Sequence, residues 1–217
     1  ISAGAWEARK VAIAGQSPSD SVMVDKLFAD RSGNIYASHN NQGLVTYALE
    51  EDRLIGKRAL EIGGSVNAFY EHPEQAHIWV GTNHGLLRLD PVTLEIDQED
   101  QPAALKAKSV FGILPGAEGH LWLSISGGVI DYDQERNSFL QYRPEEGLKT
   151  SEFSRSAALV SSDGYYWFGG PNALIRFRPE SVWPYPFSPA VAVTGLEVNN
   201  EPFPLDGCKG DKLLSLD

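Results

Sequence analysis

The stretch Ile78-Trp-Val-Gly-Thr-Asn-His-Gly-Leu86 decides the fold of this chain. Its first five residues suit a short buried strand, and Asn-His-Gly makes a tight turn into a second strand that runs to Asp90. Similar stretches lie before and after it along the chain. A supersecondary unit that recurs at a fixed spacing indicates a repeat architecture, which sets how every other feature is interpreted.

Two markers show that the repeats are in phase. The first is a large aromatic residue, the anchor, at Tyr36, Trp79, Trp122 and Trp167, with steps of 43, 43 and 45 residues. The second is a small residue at the following turn, at Gly43, Gly85, Gly128 and Ala173. This period is typical of four-stranded β-propeller blades. The sequence therefore predicts an all-β fold, a β-propeller built from four-stranded blades.

Four blades are visible within residues 1–186, and they are expected to be part of a larger propeller. Their repeats cover about 20–60, 61–102, 103–145 and 146–186. Because blades pack face to face, the anchors are expected to fill the wedge between neighbouring blades. The turn glycines are expected to supply the positive φ of tight hairpins.

The ends of the repeat region are incomplete. Residues 5–14 are predicted to form an outer strand, which belongs either to a preceding blade or to blade four, closing a ring of four. Blade four itself lacks a clear outer strand, because Pro184, Pro186 and Pro189 cannot lie in a central strand. An open arc would expose apolar sheet faces, so self-association as a dimer is expected.

The composition narrows the classes of function. The net charge of −11 argues against a nucleic-acid partner, and a neutral or cationic ligand or another protein fits better. Cys208 is the only cysteine, so no internal disulfide and no cysteine metal cluster is expected. No run of about 18 apolar residues is present, so membrane attachment is expected only through segments outside this sequence. The start without Met favours a piece of a longer protein.

The repeats resemble the two-component regulator propeller (Reg_prop) repeats of bacterial sensor proteins. Residues 78–86 match the core pattern of that family most fully, and the fourth repeat resembles the family's last repeat. The residues that carry this second likeness are Glu146-Gly-Leu148, Ser151-Glu-Phe153, Gly164-Tyr-Tyr-Trp-Phe-Gly-Gly170 and Phe177-Arg-Pro179. Residues 187–217 resemble the truncated start of the Ig-like β-sandwich called the Y_Y_Y domain. Tyr36, Ser124 and Ala173 depart from the family pattern.

The resemblance implies a periplasmic, ligand-sensing region of a bacterial two-component-type signal transduction protein in the inner membrane. In such proteins a histidine kinase, hybrid or diguanylate cyclase output lies in another domain. The resemblance therefore implies that this chain is a sensor module and not itself an enzyme. Two alternatives stay open, a protein-interaction scaffold and a propeller enzyme that acts on a polysaccharide.

The sequence offers no catalytic constellation. The five histidines include no HExxH pair, and no GxSxG, P-loop or dinucleotide-binding glycine pattern is present, so no catalytic residue, metal ligand or cofactor is assigned. A binding surface is the stronger hypothesis. The turns between second and third strands share one face of a propeller with the connections between blades. The candidate ligand-binding residues on this face, for a small molecule or an oligosaccharide, are His39, Asn40, Asn41, Asn83, His84 and Asn172. Arg155, at the start of the innermost strand of blade four near Glu152, is a further candidate, as a residue of the central channel or as one partner of an ion pair.

Overall fold

The computed structural model of the chain describes residues 12–13, 23–39, 43–50, 53–97, 103–182, 196–198 and 201–203. The chain divides into two compact units, Ile1–Val182 and Trp183–Asp217. None of the helices in the described residues is long and apolar enough to cross a membrane.

The first unit is a series of sheets that are antiparallel except for one short parallel pair at the N-terminal strand, which confirms the predicted all-β propeller fold. Its first strand, β1, is Ala12–Ile13. Blade one consists of β2 Val24–Ala29, β3 Ile35–His39, β4 Gly43–Glu50 and β5 Arg53–Leu60. Blade two consists of β6 Val66–Glu71, β7 Ile78–Thr82, β8 Gly85–Leu89 and β9 Ile96–Asp97. Helix α1, Ala103–Lys106, follows. Blade three consists of β10 Val110–Pro115, β11 His120–Ile125, β12 Gly128–Asp133 and β13 Ser138–Tyr142.

Blade four has three strands within the described residues, β14 Ala158–Val160, β15 Tyr166–Gly169 and β16 Leu174–Phe177. In blades one to three the third strand pairs with an outer fourth strand. Short 3-10 turns lie at Ala117–Gly119, Pro144–Glu146 and Pro179–Ser181.

The anchors occupy one register in all four blades. Each lies in the second strand, and the third-strand residue beside it is Thr46, Arg88, Asp131 or Arg176. One place further along the third strand lie Tyr47, Leu89, Tyr132 and Phe177. The repeat seen in the sequence therefore corresponds to a repeat of strand register, which allows the four blades to be compared position by position.

Each anchor of blades one to three packs against the third strand of the following blade. Tyr36 shares a buried cluster with Leu89 of blade two. The Trp79 ring meets Tyr132 of blade three edge to face with 6.2 Å between centroids, and the Trp122 ring lies 4.8 Å from Phe177 of blade four. Tyr36 also donates a hydrogen bond from its hydroxyl to Asp30 Oδ2 at 3.0 Å, so the phenol satisfies its polar atom while buried.

The turn glycines permit close packing of the backbone. Gly43, Gly85 and Gly128 have φ of 74°, 111° and 152°. A Cβ on Gly128 would lie 2.1 Å from the Tyr142 carbonyl oxygen, and one on Gly43 would lie 2.6 Å from the Leu60 carbonyl oxygen. A side chain at either position would therefore collide with the neighbouring outer strand.

The motif of the fourth repeat has a local structural basis. The Glu146 carboxylate accepts a hydrogen bond from the Arg143 backbone N–H at 2.9 Å, and Gly147 has φ of 100°. Phe153 is buried against Trp122 and Phe168. A Cβ on Gly170 would lie 2.1 Å from the Glu152 carbonyl oxygen, so the segment before blade four lies directly against its second hairpin.

The N-terminal strand differs from both predicted arrangements. Ala12 and Ile13 pair in parallel with Arg53 and Leu54, which places β1 on the outer edge of blade one. Residues 5–14 were expected in a preceding blade or in blade four, and their described part is in neither. The apolar run of residues 11–14 suits a strand, but the choice of sheet edge depends on which edge is free in three dimensions.

Among the described residues, each end of the series of blades has an apolar side chain that is exposed. In a closed ring of four, blade four would pack on blade one and bury Leu27 and Leu159. Leu27 is 68% exposed and Leu159 is 54% exposed. Within the described residues, the four blades therefore form an open arc rather than a closed ring.

The second unit contains a short hairpin in its described residues. Strand β17, Leu196–Val198, pairs antiparallel with β18, Glu201–Phe203. Most residues of the predicted Y_Y_Y segment, and Cys208, lie outside the described residues. The assignment of this unit to that domain stays a prediction.

Candidate functional site

The predicted binding face is formed by the turns between second and third strands together with the connections between blades. The Asn83 backbone N–H donates to the Ser65 carbonyl at 3.2 Å, so the turn of blade two lies beside the connection from blade one. The Gly127 N–H likewise donates to the Ser151 carbonyl at 3.1 Å in blade three. Turns and connections thus share one face, as expected from the up-and-down order of the strands.

His39 is part of the buried interior of blade one. Its side chain is buried, and its Nε2 lies 3.1 Å from the Tyr47 hydroxyl. Its Nδ1 is buried and has no hydrogen-bond partner among the described residues. Burial lowers the pKa of His39, and the nearby Asp25 carboxylate opposes this shift. The residue is placed to support the strand ends and offers little surface to a ligand.

Asn83 also has a structural role. Its side-chain oxygen accepts a hydrogen bond from the Ser65 backbone N–H at 2.8 Å. A Cβ on Gly64 would lie 2.1 Å from this oxygen and 2.7 Å from His84 Cδ2, so both side chains pack on the connection. His84 is nevertheless exposed and presents its imidazole on this face.

The remaining predicted residues are less tightly placed. Asn172 and Arg155 are exposed. Arg155 makes no ion pair with Glu152 within the described part of the chain, which removes one of its expected roles. Asn40 and Asn41 lie outside the described residues. Of the five candidates in the described residues, His84, Asn172 and Arg155 are therefore the exposed ones.

A cleft of about 490 Å³ lies on the opposite face, between blades three and four. Its lining includes Glu118, His120, Asp131, Tyr166 and Glu180. His120 Nδ1 lies 2.7 Å from Asp131 Oδ1, and its Nε2 lies 3.8 Å from Asp133 Oδ2. The carboxylates make the cleft acidic, so it suits a neutral or cationic group better than an anion.

Two aromatic residues contribute to the lining of this cleft. They are the anchor Trp122, which is almost fully buried, and Tyr166, which precedes the anchor of blade four and is half-buried. Burial, followed by the Glu180 carboxylate, raises the pKa of Tyr166, so its hydroxyl stays protonated as a hydrogen-bond donor. Aromatic rings beside carboxylates can stack on and hydrogen-bond to a polar ring such as a sugar.

A second cavity of about 450 Å³ lies between the same two blades and is more apolar. Trp122, Tyr142, Leu148, Phe177 and Val182 contribute to its lining. It borders the third strand of blade four, which lacks a paired outer strand in the described residues.

Sequence reasoning missed the acidic cleft. His120 was considered only as a metal ligand, and no group of three or more His, Cys, Asp or Glu side chains in the described residues could hold a metal ion. The signal available in the sequence was the third-strand position beside the anchor. That position carries Asp131 in blade three but Thr46, Arg88 and Arg176 in the other blades.

No protein-family model matches this chain. Among curated proteins, it is 29% identical over 107 residues to histidine kinase P4 of Formosa agariphila. This match covers 49% of the chain and 8% of that protein, so the chain spans less than a tenth of the relative's length.

Solved structures with the same fold include the extracellular domain assigned to a hybrid two-component system of B. thetaiotaomicron. The TM-score is 0.65 at 18% identity, over 85% of this chain and 26% of that one. A catalytically inactive virginiamycin B lyase of Staphylococcus aureus matches with a TM-score of 0.56 at 15% identity, over 78% of this chain and 59% of that one. At these identities the likeness shows the β-propeller fold.

Proposed function

We propose that the chain is part of the extracytoplasmic, periplasmic sensor region of a bacterial two-component-type signalling protein. In this proposal the propeller binds a ligand and the second unit, as the start of a Y_Y_Y domain, transmits the response. Any kinase or cyclase activity belongs to an output domain elsewhere in the protein, and the propeller itself is not an enzyme.

One observation carries the proposal. The 107-residue likeness to a histidine kinase falls on a chain whose blades share their fold with an extracellular domain assigned to a two-component system. The resemblance of the fourth repeat to the last repeat of the sensor family also supports the proposal, and Glu146, Gly147, Phe153 and Gly170 of that motif each have a local structural role.

The ligand is proposed to be uncharged or cationic, with an oligosaccharide as the best candidate. His84 and Asn172 supply exposed hydrogen-bonding groups on the predicted face, and Asn40, Asn41 and Arg155 complete the proposed set. The net charge of −11 disfavours an acidic polymer.

The sensor role can be tested by determining the sequence of the whole gene and the location of its product. Its product is expected to contain a membrane-spanning helix and a kinase, cyclase or DNA-binding output beyond the second unit, with the propeller accessible to protease in spheroplasts. A gene product without a membrane segment and without an output domain would overturn the proposal.

Thermal shifts of the 217-residue chain with a panel of neutral oligosaccharides test the proposed face. A saccharide that raises Tm is expected to lose its effect in His84→Ala and Asn172→Ala. Glu118→Gln and His120→Gln serve as matched variants in the opposite cleft. If those two abolish the shift while His84→Ala and Asn172→Ala keep it, the ligand site is the cleft and the proposed face is wrong.

A further inference from the structure

The acidic cleft between blades three and four differs in its charge from two other cavities of the propeller. No Lys or Arg lies among the described residues that line it. The apolar cavity between the same blades is bordered by Lys149 and Arg176. A cavity of about 1000 Å³ between blades one and two is bordered by Arg58 and Arg88. Of these three cavities, the cleft is therefore the one whose described lining offers carboxylates and no basic side chain.

Asp131 is the carboxylate at the centre of this difference. It pairs in register with the anchor Trp122, at a position that carries no acidic residue in the other three blades. Its side chain is 24% exposed, and His120 Nδ1 lies 2.7 Å from its Oδ1. Because an ionised carboxylate can only accept a hydrogen bond, this contact places a proton on Nδ1. A neutral imidazole satisfies the hydrogen bond but does not compensate the charge of the carboxylate.

The neighbouring carboxylates have basic partners that Asp131 lacks. Asp133 pairs with Arg136 at 2.7 Å, and Glu180 pairs with Arg178 at 3.6 Å. Among the described residues, no Lys or Arg nitrogen lies within 4 Å of the Asp131 carboxylate. The cleft therefore holds a partly buried negative charge that a bound cation would compensate.

Two hydrogen-bond donors also border the cleft without a partner. The Trp122 side chain is 4% exposed, and its Nε1–H has no hydrogen-bond partner in the part of the chain that the structure describes. In blade four the corresponding Nε1–H of Trp167 donates to Ser161 Oγ at 3.0 Å. The hydroxyl of the half-buried Tyr166 likewise has no described partner. Buried donors of this kind are normally satisfied, so oxygen atoms of a ligand are expected beside them.

We propose that this cleft is a binding site for an amino sugar, a hydroxylated ring that carries a protonated amine. The amine pairs with Asp131, the apolar face of the ring packs on Tyr166, and a ring or hydroxyl oxygen accepts from the Trp122 N–H. The volume of about 490 Å³ falls within the range of about 300–1,000 Å³ that small-molecule sites occupy. No group of side chains in the described residues could hold a metal ion, and aromatic rings beside a carboxylate suit an organic cation.

Isothermal titration calorimetry of the 217-residue chain tests this site, with glucosamine at about pH 7, where a primary amine is mostly protonated. Glucose is the neutral comparison at the same ionic strength, and glucosamine is expected to bind at least about tenfold more tightly. Asp131→Asn should weaken glucosamine binding at least about tenfold. Glu74→Gln is the matched control, because it also removes one negative charge but changes an exposed residue in blade two. Its glucosamine affinity should equal that of the unmodified chain.

Tyr166→Phe provides a second variant that keeps the aromatic ring and removes only the hydroxyl donor. It should weaken glucosamine binding at least threefold, and it decides the question if Asp131→Asn does not fold. The proposal is overturned if glucosamine shows no saturable binding, if glucose binds equally well, or if Glu74→Gln weakens binding as much as Asp131→Asn does. Unchanged affinity in both Asp131→Asn and Tyr166→Phe would also overturn it. None of these outcomes depends on the sensor role or on the face with His84 and Asn172, so the proposals fail separately.

Discussion

Blades two and four have nearly the same register of strands but differ in what lies beside them. In blade two, Trp79 and Leu86 face blade three and are 2% and 1% exposed. In blade four, Trp167 and Leu174 occupy the same positions, and Leu174 is 66% exposed. The difference shows that a blade does not bury its own anchor. Burial is supplied by the neighbouring blade, so equivalent residues can contribute very differently to stability.

The largest change in stability is expected when Trp79→Ala is compared with Trp167→Ala in the 217-residue chain. Trp79→Ala removes a ring packed against Tyr132 and should lower the free energy of unfolding by about 3–5 kcal/mol. Trp167→Ala removes an Nε1–H hydrogen bond to Ser161 Oγ and the contact with Arg176, and should cost roughly 1 kcal/mol. Urea denaturation measures both values. Equal losses would mean that the anchors act within their own blades.

A smaller effect should separate two glycines of blades three and four. Gly128→Ala should cost about 2–3 kcal/mol, because φ of 152° is strained for alanine and its Cβ would collide with the Tyr142 carbonyl. Gly164 has φ of 82° with open space around it, so Gly164→Ala should cost only about 1 kcal/mol. Thermal unfolding of both variants compares them. A Gly164→Ala variant as unstable as Gly128→Ala would show that backbone strain alone governs these turns.

The smallest expected effect separates two histidines of the predicted binding face. The lowered pKa of His39 means that the folded state favours its neutral form. Its contribution to stability is therefore complete above its ordinary pKa of 6.5 and is lost as the pH falls through the lowered value in the folded state. His39→Gln should reduce the loss of stability between about pH 7.5 and about pH 5, because glutamine does not titrate in this range.

His84→Gln is the matched control for this measurement, since His84 is exposed. Its urea midpoints at the two pH values should follow those of the unmodified chain. If the two variants behaved alike, the burial of His39 beside Tyr47 would not be the cause of the pH dependence.

Much of the fold could be predicted from the residues because a propeller repeats a local pattern. The aromatic anchor, the turn glycine and the short strands are set by nearest neighbours along the chain, so their spacing predicted the blades and their order. The position of β1 could not be read in this way. Ala12 and Ile13 suit any strand, and only the free outer edge of blade one, next to Arg53 and Leu54, selected their place.

The candidate site was predicted less completely, for a related reason. Asn and His residues at tight turns were identified from the sequence, but the sequence does not show which of their polar atoms are already used. The Asn83 side-chain oxygen already accepts a hydrogen bond from the Ser65 backbone N–H, and His39 Nε2 lies beside the Tyr47 hydroxyl. The His84 side chain, by contrast, is exposed. The acidic cleft brings Asp131, from the third strand of blade three, close to Glu180, which follows blade four, and this proximity appears only after the blades pack.

The sequence by itself determined that this protein is built from β-propeller blades, since each blade is specified by short-range spacing of anchor and turn residues. The tertiary structure alone decided which anchors are covered. Tyr36, Trp79 and Trp122 are buried because a further blade lies against each of them, and Trp167 is left half-exposed because the arc of four blades is open.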